Sequence, residues 1–142
     1  MSKTKSQKRT RNAASRSGAR SSTTVLVLRT CAADMTARGG FKWPRRGRVA
    51  APDWNHAPVC GGGLHGLLWG EGNGSLLSWA ADARWIVVRV AAADVVDLGG
   101  KVKFPRGVVV HCGDRLSATR YIADHGGAGR AIAGAVCAAG DY

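Results

Sequence analysis

The chain has 142 residues, of which 45% are hydrophobic and 21% charged, and it carries a formal net charge of +12. That length suits one domain with a genuine core and is short for two. No stretch reaches the roughly 20 apolar residues that span a bilayer, because Arg84, Arg89, Asp94 and Asp97 break the longest apolar clusters, so a soluble protein with no membrane contact is expected.

Residues 1–23 hold Lys3, Lys5, Lys8, Arg9, Arg11, Arg16 and Arg20 and no acid, so they supply seven of the twelve net charges. They lack the apolar centre and cleavage site of a secretory signal, and the location expected from that is cytoplasmic. A stretch this polar buries too little apolar area to offset its ordering entropy and is expected to be a disordered basic tail. It is either a solubilising tail or a contact for nucleic acid or another polyanion through phosphates.

Order is expected from residue 24 to 125. Val25-Leu26-Val27-Leu28-Arg29 reads as a buried strand. Residues 32–58 are irregular, punctuated by Gly39-Gly40, Pro44, Gly47, Pro52 and Pro58, with Phe41–Trp43 and Arg48–Ala50 as candidate short strands. After the Gly-rich segment Cys60–Gly66 come large apolar residues from Leu64 to Trp79, interrupted by a loop at Gly70–Gly74. Ser75 is placed to cap a short helix through Ala81. Arg84–Val90 is the strongest strand and, apolar on both faces, belongs at the centre of a sheet.

Ala93–Leu98 reads as a turn into a short extended piece. Lys101–Phe104 alternates as a half-buried strand, and Gly107–Cys112 is a further strand. Asp114 stands at an N-cap before a short helix closed by Gly126-Gly127. The fold class is α+β: one strand-dominated domain with one or two short helices. Residues 126–142 form a Gly/Ala-rich end with a recurrent Ala-Gly at Ala133-Gly134 and Ala139-Gly140, readable as a flexible tail, an Ala-rich helix or a vestige of a tightly wound repeat.

The segment Gly40-Phe41-Lys42-Trp43-Pro44, the Cys-x-x-Gly-Leu-His pattern from Cys60 to His65, and Trp85–Val90 resemble an uncharacterised domain family of phage, prophage and bacterial proteins. Members often continue into Gly/Ala/Thr-rich short repeats. The resemblance covers residues 25–123 and implies fold and a phage or mobile-element context, with no activity to carry over. More distantly, Arg29 on an early strand, then Gly63-Leu64-His65 and the Trp85–Val90 strand, are similar in order to ADP-ribosyltransferase-like folds. That likeness implies a ligand pocket, although those enzymes place a Glu on a late strand and the only Glu here is Glu71.

Cys60-Gly61-Gly62-Gly63-Leu64-His65-Gly66 packs a thiol, an imidazole and four glycines into seven residues. Glycine at that density serves positive φ or a close approach to the backbone. Cys60, Gly63 and His65 are therefore ligand-pocket candidates, and the ADP-ribosyltransferase-like resemblance implies Arg29 as the fourth. As a nucleophile pair, Cys60 and His65 would need the imidazole within reach of the sulfur; the alternative is a structural thiol and a hydrogen-bonded His. Cys31, Cys60, Cys112 and Cys137 have no Cys-x-x-Cys spacing, so reduced thiols are expected, with no resident metal and no cofactor.

Arg38, Lys42, Trp43, Arg45, Arg46 and Arg48, with Phe41, interleave five cations with two aromatics over eleven residues, a pattern suited to phosphate contact plus base stacking. Trp54, Trp69, Trp79 and Trp85 are assigned to the core. The expected function is a phage-type binding protein contacting nucleic acid or another polyanion. The alternatives are an ADP-ribosyltransferase-like enzyme or inactive relative, and a structural or virion-associated module.

Overall fold

The computed structural model describes residues 23–135. The basic residues Lys3, Lys5, Lys8, Arg9, Arg11, Arg16 and Arg20 lie outside the described residues. The strands are β1 (Thr24–Cys31), β2 (Gly47–Ala50), β3 (Leu64–Leu68), β4 (Arg84–Ala91), β5 (Val96–Asp97), β6 (Val102–Phe104) and β7 (Arg106–Gly113), followed by helix α1 (Arg115–Ile122). They form one seven-stranded sheet in the order β2-β7-β4-β1-β3-β6-β5, with antiparallel pairing throughout. The domain is thus α+β and strand-dominated.

The two strands richest in β-branched and aliphatic residues sit in the middle. β1 pairs with β4 along its whole length, from Thr24↔Ala91 to Cys31↔Arg84. Alternation sends Val27 and Cys31 to one face and Leu26 and Leu28 to the other. On the first face Val27, Ile86, Val88 and Phe104 pack beneath Met35 and Trp43 from the irregular 32–46 region. On the second, Leu28, Trp85 and Val87 pack against Ala118 and Ile122 of α1.

Helix α1 starts where expected. Asp114 accepts the Ser117 backbone N–H at 2.8 Å, while the Ser117 hydroxyl accepts the Asp114 N–H at 3.1 Å. This reciprocal capping box satisfies two otherwise orphan donors, and a cap of this kind is worth about 1 kcal/mol.

Several local features differ from, or add to, the expectations for physical reasons. Leu64–Leu68 is a strand, because Gly66 lets its backbone lie against β1; a Cβ there would stand 2.4 Å from Val27 Cγ1 and 2.8 Å from the Leu28 carbonyl oxygen. The helix anticipated after Ser75 shrinks to a single 3-10 turn, Gly74–Leu76, capped by Asn73, whose Oδ1 accepts the Ser75 N–H. Phe41–Trp43 contributes only the isolated bridge Thr36↔Lys42. β6 is buried on both faces, Lys103 included. Trp79 is 51% exposed rather than in the core, its Nε1 donating to the Gly74 carbonyl.

Residues 126–135 of the Gly/Ala-rich end are docked rather than loose. Ile132 is buried in the α1-side core, Ala133 N–H donates to the Gly70 carbonyl at 2.8 Å, and Arg115 Nη1 reaches the Gly134 carbonyl at 2.7 Å. Small residues permit this contact: a Cβ on Gly134 would stand 3.1 Å from the Trp85 ring. Arg130 closes the segment with an ion pair to Glu71 at 3.1 Å and lies over the Trp69 ring at 4.8 Å.

Candidate functional site

A groove of about 1020 Å³ opens where β1 ends and β3 begins. The β1–β3 ladder covers only Val27↔Leu68 and Leu28↔Leu67. Beyond it Arg29 reaches across, donating Nη1 to the His65 carbonyl at 3.0 Å and Nε to the Thr30 carbonyl at 3.1 Å. Its guanidinium lies over the face of Trp43 at 4.7 Å. Arg29, Cys60, Gly63 and His65 all line this groove, as do Arg38 and Lys101.

The Gly-rich segment is held down from both sides. Asn55 N–H donates to the Gly62 carbonyl at 2.9 Å, and Lys103 Nζ donates to the Gly61 carbonyl at 2.9 Å. Gly62 is at φ 63°, and a Cβ there would stand 2.8 Å from Asn55 Cβ; on Gly63 it would stand 2.9 Å from the Trp54 ring. Both residues therefore need hydrogen in place of a side chain, one for its backbone angle and both for space.

The groove is electropositive. Burial, followed by Lys101, Arg29 and Lys103, pushes the His65 pKa down to about 4, so the ring is neutral at physiological pH. Its Nε2 accepts the Gly61 N–H at 3.3 Å, which leaves the ring proton on Nδ1. Burial lowers the Arg29 pKa to about 10. The exposed Cys60 thiol is held below its usual value by Lys101, whose Nζ stands 3.1 Å from Sγ. The partner that stabilises a Cys60 thiolate is thus Lys101 rather than His65, whose Nε2 is already engaged. Lys101 was missed as a site residue; its signal is the alternation Lys101-Val102-Lys103, which leads into the strand that pairs with His65.

Of the other thiols, Cys31 also lines the groove, Cys112 does not, and Cys137 lies outside the described residues. Cys31 and Cys112 both contact Met35 Sδ, at 3.9 and 3.8 Å, under the loop-covered face. His111 Nε2 is engaged with Ser117 Oγ at 2.8 Å. Among the described residues no three His, Cys, Asp or Glu side chains converge as a metal site.

The basic-aromatic stretch makes no base-stacking surface. Trp43 is 2% exposed and covered by Arg29, so no base can reach its face. Arg46 Nη1 is spent on the Val110 carbonyl, and Arg48 lies on strand β2 opposite Val108. Arg38, Lys42 and Arg45 are exposed.

The chain resembles proteins named for ice nucleation. It is 51% identical over 100 residues to an ice nucleation protein of Pseudomonas syringae, 47% over 103 residues to one of Pseudomonas fluorescens, and 44% over 103 residues to the ice nucleation protein InaU of Pantoea ananas. The matches cover 69–71% of this chain but only 8–10% of these relatives, so it spans a small part of their length. No solved structure matches it.

Kinship with these bacterial proteins overturns the reading as a phage-type polyanion binder, and with it the ADP-ribosyltransferase-like and virion-associated alternatives. The nucleic-acid partner, the absence of membrane contact and the cytoplasmic location had rested on charge and composition, which do not discriminate among such functions, and they fall with it. Among the described residues no helix is long and apolar enough to cross a membrane, which does not bear on strands. Glu71, the only Glu, is committed to Arg130 and the Ala131 N–H and does not line the groove. A family model described as a domain of unknown function, DUF7666, matches residues 25–124, and the chain belongs to that family.

Proposed function

We propose that this chain is a bacterial ice-nucleation-type module that works beside an ice-forming surface instead of providing one. The observation that carries the reading is about 50% identity over a hundred residues to proteins named for ice nucleation. The module's own geometry supports the accessory role. Freezing water at mild supercooling requires a broad, regular, water-facing array, and this sheet offers none: loops cover one face, and α1 with residues 126–135 covers the other. One concave feature left open among the described residues is the groove lined by Arg29, Cys60, Gly63 and His65, which we take as the module's binding site.

Droplet freezing tests this directly. Droplets of the purified chain are expected to freeze at the temperature of buffer alone. Exchanged for the matching hundred residues of the Pseudomonas syringae relative, the module is expected to preserve that protein's freezing temperature, whereas deletion of those residues is expected to lower it. Nucleation by the isolated chain, or an exchange no better than the deletion, would contradict the proposal.

A further inference from the structure

The geometry points to a ligand class for the groove: a small molecule carrying one carboxylate or phosphate, seated between the Arg29 guanidinium and Lys101. This deepens the proposal above and rests on its reading of the groove as a binding site.

Three observations carry it. First, Arg29 is a shielded cation without a counter-charge. Its Nε and Nη1 donate to carbonyls, Nη2 makes no hydrogen bond to any described residue, and no described carboxylate lies within ion-pair distance. Removing a cation from water without an acid partner is expensive, and a guanidinium fork suits a planar or tetrahedral oxyanion. Second, the imbalance is local. Arg29, Arg38 and Lys101 line the groove against a single acid, Asp53, while Lys103 is fully buried beneath the glycine segment with its Nζ on the Gly61 carbonyl and 5.5 Å from the Trp54 ring centre. Third, the groove has apolar wall as well as charge, from Phe41, Pro52, Leu76 and Leu77, at a volume in the range of small-molecule sites. A ligand with an apolar or ring-shaped body and one anionic group fits both. A long polyanion does not, because the other cations of the 38–48 stretch are spent on the protein or dispersed on its surface.

The test is a titration of the full chain, followed by ¹H–¹⁵N NMR at fixed pH and ionic strength, with phosphate and benzoate as separate probes and chloride as the reference salt. Saturable shifts are expected at the Arg29 Nε–H and at the Gly61, Gly62, Gly63 and His65 amides. Whichever anion saturates at lower concentration identifies the head group. Arg29→Gln should abolish the response, and Lys101→Gln, at a surface position, should weaken it about tenfold, the scale of one charge-assisted hydrogen bond. The inference is overturned if neither anion gives saturable shifts, if both variants titrate like the parent, or if the shifts fall on exposed arginines outside the groove. Freezing is not read in this experiment. An exchanged module that supports freezing but ignores both anions would therefore reject the ligand class and leave the accessory role standing.

Discussion

The two coverings of the central sheet are built on different terms. On the α1 side the polar groups are closed: Asp114 and Ser117 cap the helix, Arg115 holds the Gly134 carbonyl, and Arg130 pairs with Glu71. On the loop-covered side Arg29 and Lys103 are withdrawn from solvent and satisfied by carbonyls and aromatic faces, with no acid. One side resembles a structure optimised to hold together. The other keeps uncompensated charge beside an open groove, which is the pattern of a site that binds.

The largest effect expected to sharpen this contrast is on the α1 side. Ile132→Ala removes a side chain that joins the Gly/Ala-rich segment to the core, and a loss of about 2–5 kcal/mol is expected from denaturant unfolding. A loss near zero would mean that the segment contributes nothing. Next comes the seam between the two sides: Gly66→Ala forces a methyl into Val27 and the Leu28 carbonyl, at about 1–3 kcal/mol by the same measurement.

Acid should then distinguish the groove. The His65 pKa is lower in the folded chain, about 4, than in the unfolded one, about 6.5. The unfolded state therefore takes up the proton first, and His65's contribution to stability is lost as pH falls from 6.5 to 4, with no further slope below. His65→Gln should flatten that part of the stability–pH curve; an unchanged curve would remove His65 from the account. The smallest change in stability is expected from Lys101→Met, which should slow iodoacetamide alkylation of exposed Cys60 toward the rate of an ordinary thiol. Cys31, buried and with its thiol pushed up by that burial, should react last in either protein.

Much of the fold was legible because its strongest signals are local. β1, β4 and β7 are runs of β-branched and aliphatic residues, and Asp114 announces α1. β3 was not legible, since Gly66 breaks its apolar pattern and its reason lies in Val27, distant in sequence. Lys103 looked solvent-facing by alternation; its burial depends on Trp54 and the Gly61 carbonyl meeting it from other segments. In the site, glycine density drew attention to residues 60–66, and Arg29 entered by resemblance. Lys101 stayed hidden because its role exists only once β6 pairs with β3. The basic-aromatic stretch misled for the opposite reason: composition records charge and rings but not that Trp43 is roofed by Arg29.

The most direct test of the claim that the groove side serves binding is thermal unfolding of the Arg29→Met, Lys101→Gln double variant beside the parent, with and without phosphate at constant ionic strength. The account predicts a double variant destabilised less than Ile132→Ala, because no acid is left unpaired and Arg29→Met loses only the hydrogen bonds to the Thr30 and His65 carbonyls and the contact with Trp43, together with a phosphate-induced rise in Tm seen in the parent and lost in the variant. A variant destabilised as severely as Ile132→Ala, or one that keeps the parent's response to phosphate, would contradict it.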